Sequence, residues 1–172
     1  MQRRGFLRLI GSALPVITLA GCGFRPLYGE RSGGESAAAQ LAAIEIAPIP
    51  ERSGQKLRND LRLKLTPNGA PSRPDYILDV RVSELRQDLA IRDDASATLG
   101  NLQVRAQYRL RSAADGKVLY QGLARSTASY NIVRSQFAAL VAEDDARNRA
   151  MEAISEDIRL RLGIYFAKDD KE

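Results

Sequence analysis

The sequence has no histidine, a single cysteine and no apolar run long enough to cross a bilayer, which takes about 20 residues. Each absence removes a class of function. Without histidine, the commonest general base and metal ligand is missing. One cysteine cannot close an intrachain disulfide, so the fold must stand on packing. There is no Gly-x-Ser-x-Gly elbow, phosphate-binding loop or dinucleotide fingerprint. Acidic clusters do occur, at Asp93-Asp94, Glu143-Asp144-Asp145, Glu156-Asp157 and Asp169-Asp170. The first falls in an expected loop, the middle two on an expected helix and the last in the tail, and solvated charge accounts for all four. The reading is a non-enzyme with no catalytic residue, no metal site and no cofactor.

What is present begins at the N-terminus. Arg3, Arg4 and Arg8 form a positive head, followed by an apolar stretch from Leu9 to Leu19 broken only by small residues and Pro15. That is the layout of an export signal. Leu19-Ala20-Gly21-Cys22 resembles the bacterial lipobox, in which the cysteine is lipidated and becomes the new N-terminus. Cys22 is therefore expected to be an anchor, neither nucleophile nor ligand, and multiple acyl chains hold where one does not. Gln2-Arg3-Arg4-Gly5-Phe6-Leu7-Arg8 also resembles a twin-arginine signal, and the general and twin-arginine export routes both stay open. The chain carries 26 Lys and Arg against 21 Asp and Glu. Three basic residues leave with residues 1–21, and the remaining 23 against 21 is no nucleic-acid footprint.

Residues 22–40 read as a lipid-anchored tether and linker, the stretch from Glu30 to Ala39 being Gly, Ser and charge without apolar periodicity. Residues 41–166 read as one domain and 167–172 as a charged tail. Within the domain, Ala43 to Pro48 alternates as a short strand. Glu51 to Leu65 sets Leu57, Leu61 and Leu65 on one helical stripe. Asp75 to Leu89 alternates with Leu78, Val80 and Val82 on one face. Leu102, Val104, Ala106, Tyr108 and Leu110 repeat the pattern against Gln103, Arg105, Gln107, Arg109 and Arg111. Ala114-Asp115-Gly116-Lys117 predicts a hairpin turn, and Val118 to Tyr130 returns as a strand. Arg134 to Leu162 predicts a long helix with Phe137, Leu140, Val141, Met151, Ile154, Ile158 and Leu162 facing inward, stopped at Gly163. The expected fold is α+β, a two-layer sandwich of an about four-stranded mixed sheet with two amphipathic helices on one face. Its other face would carry Arg81, Arg105 and Arg109, either solvated or covered by something else.

Cys22-Gly23-Phe24-Arg25-Pro26-Leu27-Tyr28-Gly29, directly after the lipobox, resembles the alphaproteobacterial branch of the LptE lipoproteins. "YRLRSAADGKVLYQG" and "LVAEDDARNRAMEAISEDIRLRL" extend the likeness in the order of elements. The resemblance implies a lipoprotein on the periplasmic side of the outer membrane of a Gram-negative bacterium. It would plug and help assemble the LptD β-barrel and assist lipopolysaccharide insertion. On that reading Phe24, Arg25, Pro26 and Tyr28 dock at the membrane or barrel, and Arg81, Arg105 and Arg109 face the barrel lumen. Arg86 and Arg92, beside Leu89 and Ile91, become candidate lipopolysaccharide contacts. An auxiliary lipoprotein of a lipid-trafficking ABC transporter and a lipid-anchored hydrolase remain as alternatives.

Overall fold

A computed structural model describes residues 36–91 and 97–169. The element order is α1 (Ala37–Ala42), β1 (Ile44–Ile46), α2 (Glu51–Leu65), β2 (Tyr76–Ile91), β3 (Ala97–Ser112), β4 (Val118–Asn131) and α3 (Gln136–Asp169). The strands form one sheet in the order β1-β2-β3-β4, with β1 parallel to β2 and the remaining pairs antiparallel. This is the α+β sandwich expected from the patterning, a four-stranded mixed sheet with helices on one face.

The pleat sorts the sheet by parity, since successive side chains point to opposite faces. On β3 the even positions Leu102, Val104, Ala106, Tyr108 and Leu110 are buried, as are Leu78 and Val80 on β2. These residues meet Leu57, Leu61 and Leu65 of α2 and Met151, Ile154, Ile158 and Leu162 of α3 in a single core. Two tyrosines of this layer lie over glycines directly across the β3–β4 ladder, Tyr108 over Gly122 and Tyr130 over Gly100. A Cβ at Gly100 would come within 2.5 Å of the Tyr130 ring, and one at Gly122 would overlap the Tyr108 hydroxyl. Burial, with Tyr120 beside it, pushes the Tyr108 hydroxyl well above the ordinary phenol range, so it stays protonated.

The β3–β4 turn is the predicted one. Gly116 has φ +71°, and the Asp115 carboxylate accepts from the Lys117 amide at 3.1 Å. α2 has the predicted limits, Glu51 to Leu65.

Three readings change. α1 forms inside the stretch read as linker: the Ser36 side chain accepts from the Ala39 amide at 3.2 Å, and Ala37 and Leu41 are buried. Six residues do not hold a helix alone; contacts with α3 and α2 complete it. α3 does not stop at Gly163 but runs to Asp169, into the stretch read as tail. Phe166 lies 5.0 Å from the Tyr76 ring and 5.3 Å from Tyr165, and this aromatic packing carries the helix past a buried glycine. At the other end, Phe137, Leu140 and Val141 are 77%, 61% and 53% exposed and do not face inward. The inward stripe of α3 begins with Ala146 and Ala150, small residues that admit the helix close to the sheet.

Candidate functional site

The odd positions of β2, β3 and β4 form the face away from the helices. Its rows follow from the register: Asp79–Arg109–Gln121, Arg81–Gln107–Leu123, Ser83–Arg105–Arg125 and Leu85–Gln103–Thr127. Arg81 and Arg109, with Asp79, Gln107, Gln121 and Leu123, line an open concavity of about 680 Å³ rimmed by Ala47, Pro48 and Pro50. Arg105 stands one row further along, directly across from Arg125. The structure thus brings the three predicted face arginines onto one surface.

Two further arginines join them. Arg111 binds Asp79 through Nε at 2.5 Å and through a second nitrogen at 3.3 Å, which holds its guanidinium above the ordinary arginine range. Arg125 is exposed on β4 and was missed in the sequence reading. Its strand alternates Gly122, Ala124, Ser126 and Ala128 on the inner side, residues too small to mark a buried face by hydropathy. Counting positions from Tyr130 would have found it.

The electrostatics of this face are lopsided. Five arginines share it with two acids, Glu45 on β1 and Asp79, and Asp79 is occupied by Arg111. Arg105 donates to Gln103 at 2.9 Å; among the described residues, Arg81, Arg109 and Arg125 reach no carboxylate. Guanidinium groups present planar arrays of donors suited to carboxylates, phosphates and carbonyls, so the surface can receive a polar or anionic partner at several points at once. Nothing in it positions a nucleophile, and no group of three acids, histidines or cysteines that could hold a metal occurs among the described residues.

Arg86 occupies a different place. Its even number puts it on the helix side of β2, where it donates to Glu143 at 3.0 Å and lies 5.9 Å from the Tyr130 ring centroid. Glu143 is shared with Arg147, which also bonds Glu84 at 3.2 Å and Asp144 at 3.3 Å. Burial opposes the charge of Arg147, but its bonds to Glu84 and Glu143 outweigh that and hold its guanidinium above the ordinary range. Arg92, the lipobox residues Leu19, Ala20 and Gly21, the anchor Cys22, and Phe24, Arg25, Pro26 and Tyr28 lie outside the described residues.

A family model described as LptE, lipopolysaccharide-assembly, matches residues 41–162. The chain belongs to the LptE family. Its members are non-enzymatic lipoproteins of the Gram-negative envelope that serve lipopolysaccharide assembly. Among solved structures, a protein of Caulobacter crescentus CB15 assigned as a lipoprotein is similar at 26% identity and TM-score 0.66, covering 78% of this chain and 98% of its own. A minor lipoprotein of Acinetobacter baumannii shares the fold at 16% identity and TM-score 0.58, covering 70% of this chain and 90% of its own. Lipoprotein B of Nitrosomonas europaea does so at 14% identity and TM-score 0.56, covering 81% and 93%. No curated protein matches the sequence. Among the described residues, no helix is long and apolar enough to cross a membrane.

Proposed function

We propose that this LptE-family chain is anchored to the outer membrane by lipids on Cys22 and sits as a plug inside an LptD-type β-barrel. There it assists assembly of the barrel and insertion of lipopolysaccharide into the outer leaflet. The observation that carries this reading is the arginine face. Five cations on one side of a sheet, four of them without a carboxylate partner among the described residues, suit a polar enclosing wall, and the lumen of a large barrel is polar. Phe24, Arg25, Pro26 and Tyr28 would hold the tether near the headgroups, aromatics being favoured at that depth. Arg86 and Arg92 would meet lipid A phosphates; for Arg86 this requires exchanging Glu143 for phosphate.

The test is a mild-detergent pull-down from the native envelope. Wild-type chain should bring the barrel with it, and Arg105→Glu/Arg109→Glu should lose most of that yield while the domain stays folded, because like charge against an interface costs several kcal/mol. Equal yields would remove this face from the interface. Mass spectrometry of the mature N-terminus should find acylated Cys22, and an unmodified cysteine within an intact chain would remove the anchor.

A further inference from the structure

The sheet has two open edges, and the chain treats them differently. An edge strand displays unpaired N–H and C=O groups that template pairing with another chain; proteins blunt such edges with charge, proline, bulges, short length or a cover. On β2 the three-residue β1 covers Tyr76 to Leu78, and the Ala47 amide caps the Leu78 carbonyl at 3.1 Å. Beyond that cover the edge carries Asp79, Arg81, Glu84 and Arg86, and its pairing with β3 slips at Asp88/Ala90 and again at Ala90/Ile91. Charge of both signs and two irregularities blunt it.

β4 is the opposite edge, and it is guarded far less: a register shift before Tyr120 and the Arg149 side chain over Ser129 are its only irregularity and cover among the described residues. Its 14 residues contain no proline, no lysine and no acid, and Arg125 is the single charge. From Tyr120 to Asn131 its register with β3 is unbroken, and among the described residues no strand of the sheet lies beyond it. The Ser129 carbonyl takes its hydrogen bond from the Arg149 side chain at 3.2 Å. A long, regular, nearly uncharged edge on a sheet whose other edge is so guarded is a surface kept open for pairing.

The charge pattern selects the occupant. A second copy paired through its own β4 would extend one arginine face into another, beside a pair, Arg105 and Arg125, that is already like-charged and directly opposed. A strand carrying carboxylates on that face would instead relieve the repulsion. We propose that the free edge of β4 is a strand-addition site for an extended, acidic segment of another protein. Backbone hydrogen bonds supply the affinity and a carboxylate across from Arg125 sets the register. The inference does not depend on docking in a barrel.

The test uses the full chain in detergent and two capped nine-residue peptides, one alternating Val with Glu and one alternating Val with Lys. Residue-resolved amide hydrogen exchange reads the result. The Val/Glu peptide should slow exchange of β4 edge amides at least tenfold, leave β2 unchanged and outcompete the Val/Lys peptide. Arg125→Glu should reverse the preference between the peptides, and Leu123→Lys, which places a guarding charge on the edge without touching the core, should weaken both. No protection on β4, or protection on β2 instead, overturns the proposal. Protection of β4 that grows with protein concentration in the absence of peptide also overturns it, assigning the edge to a second copy.

Discussion

The two faces of the sheet handle charge in opposite ways. On the helix side every described charge of β2 is answered: Glu84 by Arg147, and Arg86 by Glu143, with Arg147 bridging both acids. On the outer side two acids, Glu45 and Asp79, stand among five arginines, and Asp79 is taken by Arg111. On the helix side Glu84, Glu143 and Arg147 keep only 19–24% of their side-chain surface exposed, so leaving one of them unpaired is costly, whereas Arg86 is 51% exposed. The outer arginines are hydrated and cost little to leave unmatched. Their excess is therefore not a requirement of folding, and it is the property a partner could read.

The contrast can be broken first where the helix side is tightest. Gly122→Val places a side chain against the Tyr108 hydroxyl, which the helices hold from behind, and should cost about 3 kcal/mol or more in chemical denaturation. Leu123→Ala, one residue away on the outer face, should cost far less; equal losses would mean the faces are not distinct. Next comes Arg147→Ala, which strands Glu84 and leaves Glu143 to Arg86 alone, and should destabilise by about 2 kcal/mol. The double variant Arg105→Glu/Arg109→Glu should move stability by less than about 0.5 kcal/mol, measured in the same way, while acting on complex formation.

The smallest effect is expected from acid. Hydrogen bonds from Arg159 and Lys64 hold Glu156 below the ordinary carboxylate range, and the Ser112 hydroxyl and the Lys117 amide do the same for Asp115. Depressed folded-state values mean these groups stabilise at neutral pH, and that contribution fades as pH falls through the carboxylate range. A Glu156→Gln/Asp115→Asn variant should lose less stability between pH 6 and pH 3 than wild type does. A steeper acid loss in the variant would contradict this.

Legibility in the sequence followed the strength of local signals. α2 was readable to its ends because one leucine stripe, a flanking proline pair and Pro67-Asn68-Gly69 agree. The meander was readable because β2 and β3 alternate large apolar residues with charges, and Asp115-Gly116 supplies the turn. α3 was misread at both ends for one reason: periodicity reports an apolar stripe without reporting what lies beneath it. Phe137, Leu140 and Val141 have the spacing of core residues yet stay largely exposed, whereas Gly163 is overridden by Phe166, which finds Tyr76 about ninety residues earlier, and by Tyr165, which finds Tyr120. α1 was hidden by its alanines, and Arg125 by the small residues around it. The arginine face was half legible: its rows require the register between strands, and register depends on pairing that no single strand encodes.

The packing of α1 against α3 has a consequence in time. Ala37 and Leu41 belong to the same core as Ile154, Ile158 and Leu162, so the first helix of the described residues lacks most of the surface it buries against until the last one exists. A chain made from its N-terminus presents α1 and β1 early, yet the sheet and α3 must follow before either is held. The meander from Tyr76 to Asn131, built from neighbouring strands, can close quickly by itself, while joining the two ends waits on the longest loop in the fold. Truncating the chain after Asn131 should therefore leave α1 and β1 unprotected in hydrogen exchange, and adding back α3 as a separate peptide should protect them.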